Sequence, residues 1–295
     1  MQERMLVGLI GANIQKSLSP ALFEDACAAK GIRGHYHLMD MDQLPGRSLA
    51  DLLFAARGAG FKGFNITYPG KETVVPLLDG LSPEALQIGA VNTVTIGADG
   101  RTTGYNTDRI GFRRAFREQL GAELVAGKAA MLVGAGGAGR AVAFALFDLG
   151  LRTLRVNDKD AEQARTLVQA LAGIFGVERA CLELDPSAAL SSVGGVVNAT
   201  PVGMLGIPGN PIPLDAIAAT HWVADVIYTP LETRLIKTAR SKGARVMGGA
   251  GMCIHQAAET FQLFTELTAD VGRMQRTFAE AAAIREKTLE TATSK

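Results

Sequence analysis

The sequence contains few cysteines, no long apolar run and almost no excess of either charge. Its three cysteines, at positions 27, 181 and 253, are far apart and form no Cys-x-x-Cys pair, which argues against a disulfide framework, a zinc site or a redox pair. No apolar run approaches the roughly 18 residues of a membrane-spanning helix, and the first residues lack the features of a secretory signal. The 30 basic and 29 acidic residues leave a net charge of +1, so no broad basic surface for nucleic acid is indicated. We therefore expect a cytoplasmic protein without a metal and without a nucleic-acid or membrane partner.

What the sequence does contain is a regular alternation of short apolar segments and helical patterns. At 295 residues the chain is long enough for two domains. The first hundred residues alternate in this way, which predicts a mostly parallel sheet covered by helices. A second alternating series starts at Ala129 and fits a doubly wound dinucleotide-binding domain. From Met252 onward the pattern is helical and contains no strand signal.

A glycine-rich loop opens the second series, between a predicted strand at Ala129–Val133 and a predicted helix. Its G-x-G-x-x-G spacing is weak evidence alone, but the strand before it and the helix after it favour a dinucleotide site over an empty tight turn. The first glycine permits the turn, the second lets a pyrophosphate approach the backbone, and the third lets the helix pack on the strand. The predicted pyrophosphate-binding residues are Gly134, Ala135, Gly136, Gly137, Ala138 and Gly139.

An acidic residue follows the next predicted strand. Asp158 lies 24 residues beyond Gly134, near the usual position of the carboxylate that binds the adenosine ribose. Such a carboxylate would accept hydrogen bonds from both ribose hydroxyls and repel a 2′-phosphate, so the sequence favours NAD over NADP. Two alternatives stay open: Asp158 is an ordinary turn residue, or the neighbouring Lys159 accommodates a phosphate.

Polar clusters in the first half of the chain occur where strands are expected to end, which is where open α/β sheets bind ligands. These polar side chains suit a ligand with a polyhydroxylated ring that carries a carboxylate. Lys71 and Asp108 are the strongly titratable pair among them. Each also has an ordinary structural explanation: Ser17 as a helix cap, Lys71 as a solvated surface lysine and Asp108 as the cap of the helix that follows.

Taken together, these strings resemble the shikimate dehydrogenase family, and more closely the NAD-using quinate/shikimate dehydrogenases of bacteria. The resemblance extends from Gly8 to Phe264. It rests on Ser17–Pro20, Asn65–Lys71, Ile88–Val94, Gly104–Phe112, Asn198–Met204, Asp225–Pro230 and Gly249–Gln256.

The resemblance implies a role for each matching position. Lys71 and Asp108 would be the catalytic residues, facing the oxygen that reacts. The implied substrate-binding residues are Ser17, Ser19, Thr67, Asn92, Tyr228 and Gln256. The two serines would hold the substrate carboxylate, and the other four residues would bind the ring. In addition to the glycine loop and Asp158, the implied cofactor-binding residues are Thr200, Pro201, Met204, Val226, Gly249 and Met252.

The resemblance also implies an α/β fold in which an N-terminal αβ substrate domain joins a doubly wound Rossmann domain. The C-terminal helices return to the first domain, so residues 1–107 plus 249–295 would form the substrate domain and 108–248 the NAD domain. One departure matters: Asn157-Asp158-Lys159 stands where NADP-using members carry Asn-Arg-Ser or Asn-Arg-Thr. The missing arginine agrees with NAD.

The expected activity is interconversion of shikimate and 3-dehydroshikimate with NAD, extending to quinate and 3-dehydroquinate, by a monomer or homodimer. The alternatives are a quinate- or aminoshikimate-preferring dehydrogenase of the same family and a non-catalytic sensor of NAD or a metabolite. A sensor would need neither Lys71 nor Asp108.

Overall fold

The computed structural model describes residues 3–293, with side chains through residue 288. These residues form two compact units: one runs up to Thr107 and resumes at Ile254, and the other is Asp108–Cys253. The domain division expected from the sequence, with the second domain ending at residue 248, is kept as a proposal.

The first unit is built on a mixed six-stranded sheet in the order β2-β1-β3-β5-β6-β4. β5 is antiparallel to β3 and to β6, whereas the other pairs are parallel. Every residue of β3 is buried, as expected for a central strand covered on both faces. The elements are β1 (Arg4–Gly11), α1 (Ser19–Ala29), β2 (Arg33–Asp40), α2 (Leu49–Gly58), β3 (Gly63–Ile66), α3 (Gly70–Thr73), β4 (Gly80–Leu81), α4 (Pro83–Ile88), β5 (Thr93–Ile96) and β6 (Thr102–Tyr105).

The second unit is built on an all-parallel six-stranded sheet in the order β12-β11-β10-β7-β8-β9. This is the doubly wound strand order, so the Rossmann prediction is confirmed. The elements are α5 (Asp108–Gln119), β7 (Ala129–Val133), α6 (Gly137–Asp148), β8 (Thr153–Asn157), α7 (Ala161–Phe175), β9 (Ala180–Leu182), α8 (Pro186–Leu190), β10 (Gly195–Asn198), β11 (Trp222–Asp225), α9 (Arg234–Ser241) and β12 (Arg245–Met247).

Two helices end the chain, α10 (Ala250–Thr265) and α11 (Val271–Thr293). α11 packs against α1 of the first unit, where Arg273 makes a bidentate ion pair with Asp25 at 2.7 and 2.6 Å. The hydrogen bonds from Arg273 lower the pKa of Asp25, and Thr277 donates a further one. The expected return of the C-terminal helices to the first domain is therefore confirmed.

Candidate active site

The glycine-rich loop connects β7 to α6. A Cβ atom on Gly139 would lie 1.9 Å from the carbonyl oxygen of Gly134, so only glycine fits there. Gly134 has a φ of +102°, and a Cβ on it would lie 2.8 Å from the carbonyl group of Ala199. Gly136 is the N-cap of α6 and provides no side-chain cap for this 12-residue helix. The loop therefore presents bare backbone and a helix start, which suits a pyrophosphate.

Asp158 follows β8 and is held against the glycine loop. Its Oδ2 accepts a hydrogen bond from the backbone N–H of Ala135 at 2.7 Å, and its Oδ1 accepts one from Asp160 at 2.9 Å. A carboxylate offers about four acceptor positions, so about two remain for a ligand. Lys159 is exposed.

The residues expected beside the nicotinamide follow the ends of β10, β11 and β12. Thr200 approaches the glycine loop, because a Cβ on Gly134 would lie 2.9 Å from its Cγ2. A Cβ on Gly249 would lie 2.2 Å from the carbonyl oxygen of Val226, so these two positions are in close contact. Pro201 is exposed, Met204 is half-buried and Met252 is buried. The structure thus brings Thr200 to the loop and Val226 to Gly249.

A buried carboxylate that the sequence reasoning assigned no role lies at the end of β11. Burial raises the pKa of Asp225 to about 6, while hydrogen bonds from Thr233, Ile227 and Asn198 act in the opposite direction. Asp225 and Asn198 are completely buried. The only sequence signal for this group was its place inside the Asp225–Pro230 string.

In the first unit, backbone hydrogen bonds bring together three predicted site residues. The N–H of Ile66 donates to the carbonyl of Asn92 at 2.9 Å, which places Thr67 beside Asn92. The N–H of Val91 donates to the carbonyl of Lys71 at 2.8 Å. Thr67, Lys71 and Asn92 therefore cluster where β3 ends and β5 is about to begin.

The side chain of Asn92 is fixed by Thr107. Its Nδ2 donates to Thr107 Oγ1 at 2.9 Å, and its Oδ1 accepts from the backbone N–H of Thr107 at 2.8 Å. Thr107 Oγ1 also lies 3.4 Å from Gln256 Oε1. Behind these groups the amide of Asn65 donates to Thr93 at 2.9 Å and to Thr260 at 3.3 Å. Asn65 is thus a buried framework residue, which its position in the Asn65–Lys71 string did not reveal.

The two serines lie together at the start of α1. Ser17 Oγ donates to Ser19 Oγ at 3.2 Å and accepts from the backbone N–H of Ser19 at the same distance. The loop before them is anchored by Asp40, whose Oδ2 accepts from the backbone of Ile14 at 3.2 Å and from Gln15 Nε2 at 3.0 Å. Both serines are half-buried, so they combine a local hydrogen bond with access for a ligand, and Leu18 rather than Ser17 is the N-cap of α1.

Asp108 is the buried first residue of α5 and follows Thr107 directly. Its neighbour Arg109 makes a bidentate ion pair with Asp148 of α6 at 2.8 and 2.7 Å, which ties the start of α5 to α6. Lys71 belongs to the first unit and Asp108 begins the second, so their pairing remains a proposal. Tyr228 is half-buried, three residues after β11.

Within residues 3–293, none of the helices combines the length and apolar character needed to cross a bilayer. Among the side chains that the structure describes, which end at residue 288, no group of three or more His, Cys, Asp or Glu is arranged for a metal ion.

Comparison with known proteins agrees with this architecture. The family model for the shikimate dehydrogenase substrate binding domain matches residues 9–94. A quinate/shikimate dehydrogenase (NAD(+)) of Corynebacterium efficiens is 46% identical over 281 residues, covering 94% of this chain and 98% of that protein. A shikimate dehydrogenase (NADP(+)) of an Arthrobacter species is 42% identical over 293 residues, covering 97% and 98%. The structure of quinate dehydrogenase from Corynebacterium glutamicum in complex with NAD superposes with a TM-score of 0.86 at 41% identity and covers 95% of this chain and 100% of that one. The chain belongs to the shikimate dehydrogenase family of oxidoreductases.

Proposed function

We propose that this protein interconverts shikimate and 3-dehydroshikimate with NAD, with Lys71 and Asp108 assisting the proton transfer. The observation that carries the proposal is that backbone hydrogen bonds bring Thr67, Lys71 and Asn92 together where β3 ends and β5 is about to begin. A cation beside polar groups suits a ring alcohol whose oxygen must gain or lose a proton. The relatives named quinate/shikimate and shikimate dehydrogenases support the same reaction.

NAD is the proposed cofactor because Asp158 lies against the glycine loop. Its remaining acceptor positions suit the ribose hydroxyls, and its negative charge opposes a 2′-phosphate. The family includes NAD and NADP users at similar identity to this chain, so Asp158 is the discriminating feature. The proposed cofactor residues are Gly134, Ala135, Gly136, Gly137, Ala138, Gly139, Asp158, Thr200, Pro201, Met204, Val226, Gly249 and Met252.

Shikimate is the proposed substrate. Ser17 and Ser19 offer adjacent hydroxyls to the carboxylate. Thr67, Asn92, Tyr228 and Gln256 would bind the ring. Quinate is the second candidate, because relatives that match most of the chain carry both substrates in their names. Its extra hydroxyl on the carboxylate-bearing carbon would crowd the serine pair slightly.

When bound, the nicotinamide supplies the hydride chemistry, and the protein handles position and charge. In the reducing direction, the ammonium of Lys71 donates a hydrogen bond to the carbonyl oxygen of the ring ketone. It stabilises the negative charge that develops on this oxygen and transfers a proton to it. In the oxidising direction, Lys71 accepts that proton. Asp108 orients Lys71 and the same hydroxyl.

Initial rates with shikimate and with quinate, each with NAD, test the substrate assignment. We expect turnover with shikimate and a lower kcat/KM with quinate. A reversed order would make quinate the substrate, and no turnover with either would reject the proposed reaction.

The Lys71→Ala variant tests the mechanism. We expect kcat to fall by about 10²–10⁴-fold, the usual contribution of general acid–base catalysis, with NAD affinity near the wild-type value. Lys62→Ala, which truncates an exposed lysine before β3, is the matched control and should retain full activity. Wild-type turnover by Lys71→Ala would remove this lysine from the mechanism.

A further inference from the structure

Asp225 joins three segments of the second unit through its buried carboxylate. Its Oδ1 accepts hydrogen bonds from Asn198 Nδ2 at 3.1 Å and from the backbone N–H of Ile227 at 3.0 Å. Its Oδ2 accepts one from Thr233 Oγ1 at 2.7 Å. Asn198 ends β10, Ile227 lies in the segment after β11, and Thr233 is the N-cap of α9. One side chain therefore fixes the relative positions of these three points.

The connection continues from Asn198 into the loop that follows β10. Asn198 Oδ1 accepts from both the backbone N–H and the hydroxyl of Thr200, at 3.0 and 2.7 Å. Asn198 Nδ2 also donates to the carbonyl of Val202 at 3.2 Å, and Thr200 Oγ1 accepts from the N–H of Val202 at 3.1 Å. The conformation of residues 198–202 thus depends on the amide orientation that Asp225 selects.

On the other side, the connection runs to the start of α10. The carbonyl of Ile227 accepts a hydrogen bond from the N–H of Gly249 at 3.1 Å, beside the close contact between Gly249 and Val226. Thr200, Val226 and Gly249 are all proposed cofactor-binding positions. They are therefore connected to one another through Asp225 and its direct partners.

We propose that Asp225 is a positioning residue that sets the shape of the nicotinamide side of the dinucleotide site by holding residues 198–202 and 226–227 in register. This inference rests on the proposed function. A carboxylate in a fully buried position carries a desolvation cost that an apolar residue would not, so core packing alone does not explain it. An apolar residue in place of Asp225 would leave its three hydrogen-bond donors without this acceptor.

The test compares Asp225→Asn and Thr233→Val with the wild-type enzyme. Asp225→Asn keeps the shape but replaces one acceptor oxygen by a donor, and Thr233→Val removes the hydroxyl while keeping the volume. For each protein, the Kd of NAD and of NADP is measured by calorimetric titration. The KM for shikimate, kcat and the melting temperature complete the comparison.

We expect both substitutions to raise the Kd and KM of the dinucleotide at least about tenfold and to lower kcat, with the KM for shikimate within twofold of wild type. Thr233→Ser restores the hydroxyl and should rescue dinucleotide binding. Asp185→Asn makes the same chemical change at the exposed N-cap of α8 and serves as the matched control. It should leave every kinetic constant unchanged.

A lower melting temperature with wild-type dinucleotide affinity in both variants would overturn the proposal, because a merely structural role predicts that pattern. If Asp225→Asn does not fold, the Thr233→Val and Thr233→Ser pair decides the question alone. A wild-type enzyme that binds NADP better than NAD would contradict the cofactor assignment but not the positioning role, which would then be judged from NADP.

Discussion

Replacing Asp225 by asparagine should remove a specific pH dependence of folding stability. Burial raises the pKa of this carboxyl to about 6, against an ordinary value of 3.8. The folded state therefore binds the proton more tightly than the unfolded state does. The stability contributed by this group is fully present below pH 3.8 and is lost as the pH rises through about 6. At about 1.4 kcal/mol per pKa unit, the two pH limits differ by about 3 kcal/mol.

Urea unfolding of the wild type and of Asp225→Asn between pH 4 and pH 7.5 measures this difference. The fluorescence of Trp222, the one tryptophan of the chain, reports on β11 itself. The free energy of unfolding of the wild type minus that of the variant should decrease by about 2 kcal/mol over this range, because part of the full difference lies below pH 4. Other titrating groups are common to both proteins and largely cancel in the difference.

The variant Thr233→Val provides an independent check of the sign. The hydrogen bond from Thr233 lowers the pKa of Asp225, so its removal should move the pH-dependent step to higher pH. A difference between wild type and Asp225→Asn that is independent of pH, or that increases toward neutral pH, would refute the reasoning.

Three further predictions concern other parts of the molecule. Asp158→Ala should lower kcat/KM with NAD about tenfold or more, because it removes the acceptor for the ribose hydroxyls. It should also relax the preference for NAD over NADP, because it removes the charge that opposes a 2′-phosphate. Steady-state kinetics with both dinucleotides measure this preference, and an unchanged preference would contradict the prediction. Gly139→Ala should weaken NAD binding severely, since its Cβ would meet the Gly134 carbonyl at 1.9 Å, and a calorimetric Kd equal to wild type would contradict this. Tyr36→Phe should lower the free energy of unfolding by about 1–3 kcal/mol, because its hydroxyl donates to the buried Asn65 Oδ1 at 2.8 Å; an unchanged urea midpoint would show that Asn65 finds another donor.

The sequence predicts secondary structure correctly where the pattern that specifies an element lies within that element. The central strand β7 has the predicted bounds Ala129–Val133, because a short apolar run between turn residues is typical of a buried strand. The strands β4 and β9 were not predicted. They have two and three residues and each pairs with a single neighbour, so neither has a recognisable pattern of its own.

The positions of the candidate site residues could be anticipated from the ends of predicted strands, but their supporting contacts could not. Asn65 and Thr260 are 195 residues apart in the chain, and Asp225 lies 27 residues from Asn198. Such pairs form only when the sheet brings strand ends together, and a buried hydrogen-bonding role has no sequence periodicity. The sequence therefore indicates Asn65 only as part of the Asn65–Lys71 string and Asp225 only as part of the Asp225–Pro230 string, without their framework roles.

We propose that this enzyme uses NAD for shikimate oxidation because Asp158 lies at the ribose end of the dinucleotide site. The ratio of kcat/KM for NAD to that for NADP, measured with saturating shikimate on the wild-type enzyme, tests it most directly. We expect a ratio well above one. A ratio below one would contradict the assigned role of Asp158 and the cofactor proposed from it.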